Sequence, residues 1–478
     1  MCNIDNYCYI STMSQTNSNS FEDDHFFRET PDSPYGKTRH KTPGGYDLIR
    51  NVHRITLYNT VASSHQHTSN RKRLYLHLDM NCFYAQVEQQ CYGLFGMPVI
   101  VGGWRKENGI ARGIVATSSY EARKLGIKTA MSAYEAASIC PYLIFMQVHY
   151  DKYRAISREI RNILDRYSPE VEGYSMDEYF LDITHMLKSS HQEIIRFGAA
   201  VKNEIRQKTK LVASVGIARS KTWSKLASDI RKPDGLTAIL TPDDAAQYLY
   251  PLSLDEVWGI GCRRFEKLRQ EGVTTVAEAL RRGPLVFQRL FGQYFGKMLF
   301  ETVAGRDQAK VEDDPLHVPE EVTYMHTFSD WTKEPDRVKG EIIRSVQQLC
   351  YRMRGYNRRA RCFKAYIRFQ DAGWKGVSQI FSTPGYTNID EYVLKACLEC
   401  TMPVVHHFLR QGQAIRGFGL NTLELDASQQ LELFFREGEN QRNLCTAVDV
   451  LNNRFGIECV RNAGGLHAVE GKTHFLDR

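Results

Sequence analysis

The chain of 478 residues lacks several features that would place it in a specialised class of protein. It has no run of about 18 apolar residues, which a membrane helix needs, so a membrane-spanning protein is excluded. Its first residues do not combine a basic segment with an apolar run, so we see no secretory signal. The 12 cysteines follow no repeated spacing, which indicates reduced thiols rather than a disulfide framework. We therefore expect a cytoplasmic protein without membrane contact.

Wholesale disorder is excluded as well, because 42% of the residues are hydrophobic and suffice for several cores. The length divided by roughly 150 residues per domain suggests about three domains, and no repeat at solenoid spacing occurs. Residues 1–70 carry six Lys and Arg against seven Asp and Glu, whereas the remainder carries 56 against 48. The part expected to fold is thus the basic part, which mildly favours a polyanionic partner.

The hydrophobic pattern divides the chain into stretches of different character. Residues 1–70 are rich in Ser, Thr, Asn and His without sustained periodicity, so we expect a mostly disordered extension. Residues 71–239 alternate short apolar strands with amphipathic helices, which is typical of an α+β layer, and one of these strands is expected at 113–116. The later stretches are a helical segment at 240–305, a charged linker with two prolines at 306–320, a second α+β domain at 321–425 and a tail at 426–478.

Three carboxylates lie at strand ends in the first α+β stretch. Asp79 ends an apolar strand, while Asp177 and Glu178 share a turn between two strands. Burying carboxylates there is costly unless a cation compensates, and hard divalent ions take oxygen ligands. Three converging carboxylates would suit a pair of ions in phosphoryl transfer. An ordinary alternative stays open on the residues alone, in which Asp177 and Glu178 are turn residues and Asp79 caps the next helix.

Two motifs around these carboxylates resemble those of a known enzyme family. The stretch from Leu78 to Glu88, LDMNCFYAQVE, is similar to the first catalytic motif of Y-family translesion DNA polymerases. The stretch from Ser175 to Asp182, SMDEYFLD, is similar to their second motif. The order of the motifs fits over residues 73–434, with particular likeness to bacterial DNA polymerase IV and the polymerase V catalytic subunit.

The resemblance implies an α+β fold with the right-hand polymerase architecture of palm, fingers and helical thumb, plus a C-terminal α+β little-finger domain. The implied boundaries are a palm at 71–82 and 150–239, fingers at 83–149, a thumb with a helix-hairpin-helix at 240–305, a linker at 306–320, a little finger at 321–425 and a tail at 426–478.

The resemblance further implies a template-directed DNA polymerase of the translesion type, which adds dNTPs to a primer 3′-hydroxyl with low fidelity and bypasses damage in DNA repair. Asp79, Asp177 and Glu178, with the backbone carbonyl of Met80, would bind two Mg²⁺ ions. Asn81 departs from the second Asp that many members carry, at a position that is not usually a ligand.

Four further residues resemble the nucleotide contacts of the family. Tyr84 matches the steric gate, a ring that leaves no room for a 2′-hydroxyl. Tyr120 and Arg123 share a face of a predicted helix, where a phenol and a guanidinium suit a triphosphate, although the same pattern is an ordinary amphipathic turn. Lys232 matches a third phosphate contact, and its ordinary alternative is a solvated loop lysine.

Two segments are expected to hold primer–template DNA. Gly259 and Gly261, followed by Arg263, resemble a helix-hairpin-helix, in which glycines let the backbone approach a phosphate. Seven basic residues and no acid lie between positions 352 and 368, with aromatic residues interleaved. Such a run is usually a solvated face, but its place in the little-finger-like region favours sequence-independent phosphate binding. The residues assigned to DNA there are Arg354, Arg358, Arg359 and Arg361.

A short motif in the tail resembles the bacterial sliding-clamp-binding pentapeptide. It consists of the sequence QLELF, in which the binding residues would be Gln430, Leu431, Leu433 and Phe434. Its ordinary alternative is an amphipathic stretch packed on the chain's own core. We expect a monomer that binds DNA, dNTP and the clamp.

Two rival functions stay open at this point. The first is a catalytically inactive DNA- and clamp-binding adaptor of the same family, but such a protein would lose the carboxylates that are present here. The second is a palm-fold nucleotidyl cyclase, which needs no grip on primer and template.

Overall fold

The computed structural model describes residues 73–468 except 106–108, 110, 313–318, 371–375, 427–437 and 456–458. The expected extension at 1–70 and the proposed clamp motif at 430–434 lie outside the described residues. The strands are β1 Tyr75–Met80, β2 Val99–Val101, β3 Trp104–Arg105, β4 Ala111–Arg112, β5 Thr117–Ser118, β6 Ile144–Met146, β7 Val171–Gly173, β8 Glu178–Asp182, β9 Ala213–Ala218, β10 Leu236–Ile239, β11 Thr323–Thr332, β12 Ala360–Phe369, β13 Val377–Thr387 and β14 Ile415–Thr422.

The α-helices of the described part are α1 Phe83–Tyr92, α2 Tyr120–Lys124, α3 Ala133–Ile139, α4 Tyr150–Leu164, α5 His191–Thr209, α6 Lys221–Ile230, α7 Pro242–Tyr248, α8 Cys262–Gln270, α9 Val276–Arg282, α10 Pro284–Phe291, α11 Gln293–Val303, α12 Pro335–Gly355, α13 Asp390–Arg410 and α14 Glu439–Phe455. Short 3₁₀ turns lie at Thr184–Lys188, Leu254–Glu256 and Ala463–Ala468. Among these helices none combines the length and the apolar character needed to cross a bilayer.

A five-stranded sheet in the order β10-β9-β1-β8-β7 forms the centre of the first half of the chain. β1 lies between β8 and β9 and is antiparallel to both. Because side chains alternate along a strand, the two faces of β9 pack against different helices. Val215 and Ile217 face the core beneath α4 and α5, while Gly216 faces α6.

α6 packs very closely on β9, and Gly216 makes this possible. A Cβ atom at Gly216 would lie 2.0 Å from the carbonyl oxygen of Ser224 and 2.3 Å from the backbone nitrogen of Ser228. Since no side chain fits there, glycine is required for the helix to approach the sheet. The close approach brings Ser228 of α6 to His77 of β1 and Lys225 of α6 to Glu178 of β8.

A small three-stranded sheet in the order β5-β2-β6 lies in the region expected to form fingers. The expected strand at 113–116 is wrong, because β4 ends at Arg112 and β5 begins at Thr117. Gly113 has a positive φ of 90°, which interrupts the extended chain. The next hydrogen bonds go to different partners: the N–H of Val115 donates to Met131 and that of Ala116 donates to Val101.

The helices α7 to α11 form a separate cluster with a shared apolar core. This core includes Leu254, Leu268 and Phe287, and it continues into Leu226 of α6 and Ile239 of β10. The helical cluster therefore rests directly on one side of the five-stranded sheet.

The stretch after α11, expected as a linker, follows the surface of the five-stranded sheet over 306–312. Tyr75 Oη donates to the carbonyl oxygen of Ala309 at 2.9 Å, and Val311 packs against Tyr75 and Phe180. The N–H of Glu312 donates to Glu172 Oε2 at 3.0 Å. The first half of the linker is thus bound to β1, β7 and β8.

The C-terminal part contains an antiparallel sheet in the order β11-β14-β12-β13. α12 and α13 cover one face and share an apolar core with the sheet. The other face exposes Lys364, Ser378 and Ile380 to solvent. α14, in the tail, packs against α12, where the two helices are joined by an ion pair between Arg354 and Asp449.

Candidate active site and nucleic-acid interface

The three carboxylates meet at the junction of β1 and β8. Asp79 lies opposite Glu178 in the antiparallel pairing of these strands. The N–H of Met80 donates to the carbonyl oxygen of Asp177 at 2.8 Å, which holds the turn against the end of β1. Ser175 Oγ donates to Asp177 Oδ1 at 2.5 Å. Strand pairing therefore brings together acids that lie far apart in the sequence.

Two lysines pair with two of these carboxylates, Asp79 and Glu178. Lys232 Nζ lies 2.6 Å from Asp79 Oδ2 and 2.6 Å from Asp229 Oδ1, and Lys225 forms an ion pair with Glu178. Burial, with the neighbouring acids adding to it, raises the pKa of Asp79 to about 7. Burial opposes the ionisation of Glu178 too, but the ammonium of Lys225 outweighs it and holds the pKa of Glu178 well below its ordinary value.

His77 stands behind Glu178 as a neutral ring, because burial lowers the pKa of His77 to about 4. Its Nδ1 lies 2.8 Å from Ser228 Oγ, and its Nε2 lies 3.8 Å from Glu178 Oε2. The sequence reasoning missed both His77 and Lys225. For His77 a signal existed, since it precedes Asp79 by two residues and so shares its face of the strand. For Lys225 the contact depends on how closely α6 packs.

The chemistry of this donor set fits hard divalent ions, because Asp79, Asp177 and Glu178 supply carboxylate oxygens beside the carbonyl of Met80. In the described part of the chain, however, no three Asp, Glu, His or Cys side chains converge on a single point. The oxygens of Asp79 and Glu178 are instead directed at ammonium groups. The backbone arrangement therefore fits Mg²⁺, and the side chains have to turn away from the lysines to bind it.

Tyr84 lies in the first turn of α1, close to the carboxylates in sequence. Its side chain is 4% exposed, and its ring stacks on that of Tyr153 with centroids 4.3 Å apart and planes 15° apart. Its hydroxyl lies 3.9 Å from Met176 Sδ, next to the turn that carries Asp177. A flat ring held firmly at this place is compatible with the predicted steric gate.

α2 places Tyr120 and Arg123 side by side, as predicted from their spacing. Arg123 Cζ lies 5.0 Å from the centroid of the Tyr120 ring, and Arg123 Nε donates to the carbonyl oxygen of Ser118 at 3.0 Å. Burial raises the pKa of Tyr120, and the charges of Arg123, Lys232 and Asp79 also act on it. Tyr120 therefore lies within the electrostatic influence of Asp79 and Lys232.

The glycines of the predicted hairpin lie between the 3₁₀ turn Leu254–Glu256 and α8. Gly259 has a φ of 90°, and Gly261 immediately precedes the first turn of α8. Arg264 Nη1 donates to the carbonyl oxygen of Gly259 at 2.5 Å and closes the turn, while Arg263 is exposed. Backbone N–H groups at a helix start beside an exposed arginine suit a phosphate.

The basic run in the C-terminal sheet divides into residues with different surroundings. Along β12, Phe363 and Ile367 face the core, whereas Lys364 and Arg361 are exposed. Arg358 is partly exposed, and Arg359 pairs with Asp426 at 3.4 Å. These positions are compatible with a phosphate-binding surface on the face opposite the helices.

Arg354 has another role than the predicted DNA contact. Its Nε lies 2.6 Å from Asp449 Oδ2, its Nη1 lies 2.7 Å from Asp390 Oδ1, and its Nη1 also donates to the carbonyl oxygen of Asn388 at 2.6 Å. The guanidinium thus links α12 to the start of α13 and to α14. Because its donors are used inside the domain, we withdraw Arg354 from the DNA contacts.

Trp331 and Arg416 were missed at the edge of the same sheet. The ring of Trp331 lies between two guanidinium groups, with Arg368 Cζ 5.6 Å and Arg416 Cζ 5.4 Å from its centroid. No sequence signal was available for this cluster, because its three members come from β11, β12 and β14. Only the pairing of these strands brings them together.

Comparison with known proteins identifies the family. The family model described as impB/mucB/samB matches residues 78–229, and the model of its C-terminal domain matches residues 320–433. A DNA polymerase IV of Streptococcus agalactiae is 34% identical over 300 residues, which cover 63% of this chain and 81% of that protein. A DNA polymerase IV of Methanoculleus marisnigri is 31% identical over 364 residues, covering 76% of this chain and 97% of that protein.

The structural comparison agrees with the sequence comparison. A Y-family DNA polymerase chimera superimposes with a TM-score of 0.61 at 23% identity, covering 73% of this chain and 98% of that chain. The expected α+β polymerase fold with an additional C-terminal domain is thereby confirmed. The chain belongs to the impB/mucB/samB family, the Y-family of translesion DNA polymerases, and is a DNA-directed DNA polymerase.

Proposed function

We propose that the chain extends a primer across damaged template bases with low fidelity, by two-metal phosphoryl transfer. The observation that carries this proposal is the meeting of Asp79, Asp177 and Glu178 where β1 pairs with β8. The primer 3′-hydroxyl attacks the α-phosphorus of the dNTP, a new P–O bond forms, and the bond to pyrophosphate breaks. Such a reaction depends mainly on positioning and on charge neutralisation.

The three carboxylates and the carbonyl of Met80 would hold two Mg²⁺ ions. When bound, such ions neutralise charge on the attacking and leaving oxygens. Lys225 keeps Glu178 ionised, and His77 supports the same carboxylate from the protein interior. Both side chains therefore keep Glu178 in its charged form, and this carboxylate would have to turn away from Lys225 to accept a cation.

The nucleotide would lie between α1, α2 and the loop after α6. Tyr120 and Arg123 approach from one side, and Lys232 approaches from the other side beside Asp79. A fork of guanidinium donors and a compact ammonium group bind a triphosphate in complementary ways. Tyr84 would lie beneath the sugar and exclude a 2′-hydroxyl by size.

Primer–template DNA would be held without reading its sequence. The hairpin with Gly259, Gly261 and Arg263 offers backbone N–H groups and one positive charge to a phosphate. The segment that enters β12 would add the exposed Arg361 and its partly exposed neighbours Arg358 and Arg359. Binding of this type weakens as the salt concentration rises, because counterions are released from DNA.

A sliding clamp is the proposed protein partner. Leu433 and Phe434 would fill an apolar pocket on the clamp, and Gln430 would form a hydrogen bond at its edge, with Leu431 as the fourth binding residue of the motif. These residues lie outside the described part of the chain, so the proposal depends on the motif alone. Tethering raises the local concentration of the enzyme on DNA, which benefits an enzyme that grips its template loosely.

Primer extension with Mg²⁺ on undamaged and lesion-bearing templates tests the proposed chemistry. We expect extension past the lesion by the wild-type enzyme. We expect Asp177→Asn to slow both reactions by roughly 1,000-fold, since losing a metal ligand removes several kcal/mol of charge stabilisation. Asp165→Asn is the matched control, because Asp165 pairs with Arg161 on the surface of α4 at 2.6 Å. Full activity of Asp177→Asn would contradict the assignment.

A further inference from the structure

The ring of Tyr84 rests on a second tyrosine that is deeply buried. Tyr153 of α4 has a side chain that is 0% exposed, and its ring is nearly parallel to that of Tyr84, at 4.3 Å between centroids. Tyr150, one turn earlier on α4, contacts Tyr84 edge-on at 6.3 Å. Stacking of this kind adds to the energy of apolar burial and fixes the plane of both rings.

The position of Tyr153 is itself fixed by a buried carboxylate. Tyr153 Oη donates to Glu88 Oε1 at 2.7 Å, and Lys152 Nζ lies 2.8 Å from Glu88 Oε2. Glu88 is fully buried, so its charge depends on these two donors for compensation. A hydrogen bond to a buried carboxylate is short and strong, which leaves the Tyr153 ring little freedom to tilt.

Tyr84 and Glu88 lie four residues apart on α1 and therefore share one face of the helix. Tyr153 is consequently bound twice by the same helix, through its ring to Tyr84 and through its hydroxyl to Glu88. A change in the Tyr153–Glu88 bond would be transmitted directly to the plane in which Tyr84 lies.

We propose that Tyr153, held by Glu88, is a positioning residue for sugar selection, which sets the height and tilt of the Tyr84 ring. The inference rests on the proposed function of Tyr84 as the steric gate. A gate that works by exclusion depends on distance, because a ring that shifts or tilts away from the sugar leaves more space for a 2′-hydroxyl. Two residues that never touch the nucleotide thus determine how strictly ribonucleotides are rejected.

The test measures kcat/KM for a dNTP and for the matching rNTP, and takes their ratio as the discrimination. We expect Tyr84→Ala to lower discrimination most. Tyr153→Leu, which removes the stacked ring, should lower the discrimination roughly tenfold. Tyr153→Phe and Glu88→Gln, which weaken the hydrogen bond, should each lower it roughly two- to fivefold. The change should appear chiefly as a lower KM for the rNTP. If Tyr153→Leu fails to fold, the two conservative variants carry the test.

Tyr167→Phe is the matched control, because Tyr167 Oη donates to Glu204 Oε2 at 2.6 Å in the same kind of bond, at a different carboxylate. We expect this variant to discriminate as the wild type does. In the Tyr84→Ala background, Tyr153→Leu should cause no further loss, since a positioning residue has no effect once its target is gone. A purely structural role would leave the ratio unchanged in every background.

The outcomes separate the inference from the proposal beneath it. If Tyr84→Ala loses discrimination while both Tyr153 variants keep it, the positioning role of Tyr153 is wrong, but the assignment of Tyr84 as the steric gate is supported. If Tyr84→Ala itself discriminates as the wild type does, the gate is wrong and the positioning role falls with it. A loss in Tyr167→Phe equal to that in Tyr153→Phe would also overturn the inference.

Discussion

Arginines from one basic run perform different tasks in this protein. Arg354 is largely buried and contacts the carboxylates of Asp390 and Asp449, whereas Arg361 is exposed on β12. Burial alone would disfavour the charged form of Arg354, but the two carboxylates outweigh it, so the pKa of Arg354 lies above its ordinary value. The same residue type therefore joins helices at one position and is exposed at another, where we propose that it contacts DNA.

Alanine substitution should separate these two roles. We expect Arg354→Ala to lower the free energy of unfolding by about 3–5 kcal/mol, because it leaves two buried carboxylates without a partner. Arg361→Ala should change that free energy by about 0.5 kcal/mol or less, yet reduce the slope of log K against log salt for DNA binding by about 0.9. Urea unfolding measures the free energy of unfolding, and DNA affinity measured at several salt concentrations gives the slope. A stable Arg354→Ala that loses DNA affinity would return Arg354 to the DNA contacts.

At the scale of elements, local features place the functional side chains. Gly216 lets α6 approach β9, and α6 then carries Lys225 to Glu178. In the helical cluster, α9 begins with a capping box in which Thr275 Oγ1 accepts from the N–H of Glu278 at 3.2 Å. Glu278 Oε2 in turn accepts from the N–H of Thr274 at 2.7 Å. These hydrogen bonds fix the segment at Thr275, which forms a bridge with Ser253 just before the hairpin that we propose to bind DNA.

Glu278→Gln should weaken this capping box in a pH-dependent way. The hydrogen bonds from the Thr274 and Thr275 backbone lower the pKa of Glu278 to about 2, below the value of about 4.3 in an unfolded chain. The stabilisation is therefore complete above about pH 4.3 and is lost as the pH falls through about 2. Because the side chain is only partly buried, we expect a cost of about 1 kcal/mol at pH 7.

Urea midpoints of wild type and Glu278→Gln at pH 7, and at steps down to the lowest pH that keeps the wild type folded, measure this effect. The difference in urea midpoint between the wild type and Glu278→Gln should become smaller as the pH falls below about 4.3. Glu271→Gln is the control, since Glu271 lies on the surface and pairs with Arg289 across helices. A gap of constant size across this range would contradict the capping role.

At the scale of the whole molecule, segments outside the regular domains are bound to them. The start of the linker lies on β1 and β8 through Ala309 and Val311, and α14 lies on α12 through Asp449. A truncation that removes the proposed clamp motif would remove α14 as well. It would thereby leave Arg354 without Asp449, one of its two carboxylate partners, so point substitutions are the sharper test.

Leu433→Ala combined with Phe434→Ala should abolish stimulation by the sliding clamp. Basal primer extension should stay at the wild-type level, because neither residue is assigned to the carboxylate site or to DNA. Loss of both anchors removes most of the apolar contact that such a short motif can make. Glu432→Ala, between the recognised positions, is the matched control and should respond to the clamp normally. Equal stimulation of the double variant would show that the motif does not bind the clamp.

The family and the fold class could be predicted from the sequence, while the catalytic role of the central acids stays a prediction. Asp79, Asp177 and Glu178 lie in contiguous motifs, and such a motif can be recognised from the sequence whatever its position in the fold. The pairing of Tyr120 with Arg123 was also readable, because neighbours on one helix follow from a period of 3.6 residues. The strand expected at 113–116 shows where the local pattern gave a wrong prediction. Gly113 has a positive φ, and the backbone N–H groups that follow it donate to separate partners instead of one neighbouring strand.

Tertiary structure decided which charges meet. Lys225 contacts Glu178 because a glycine on one strand lets a helix come close, and Arg354 is internal because two carboxylates from distant helices converge on it. Tyr153, which lies on another helix, stacks on the ring of Tyr84, and this contact too depends on how the two helices pack. The sequence by itself determined the chemistry that is available, because motifs and periodicity are local properties. It did not determine these partnerships, because the energy of a buried charge or ring depends on all the elements that pack around it.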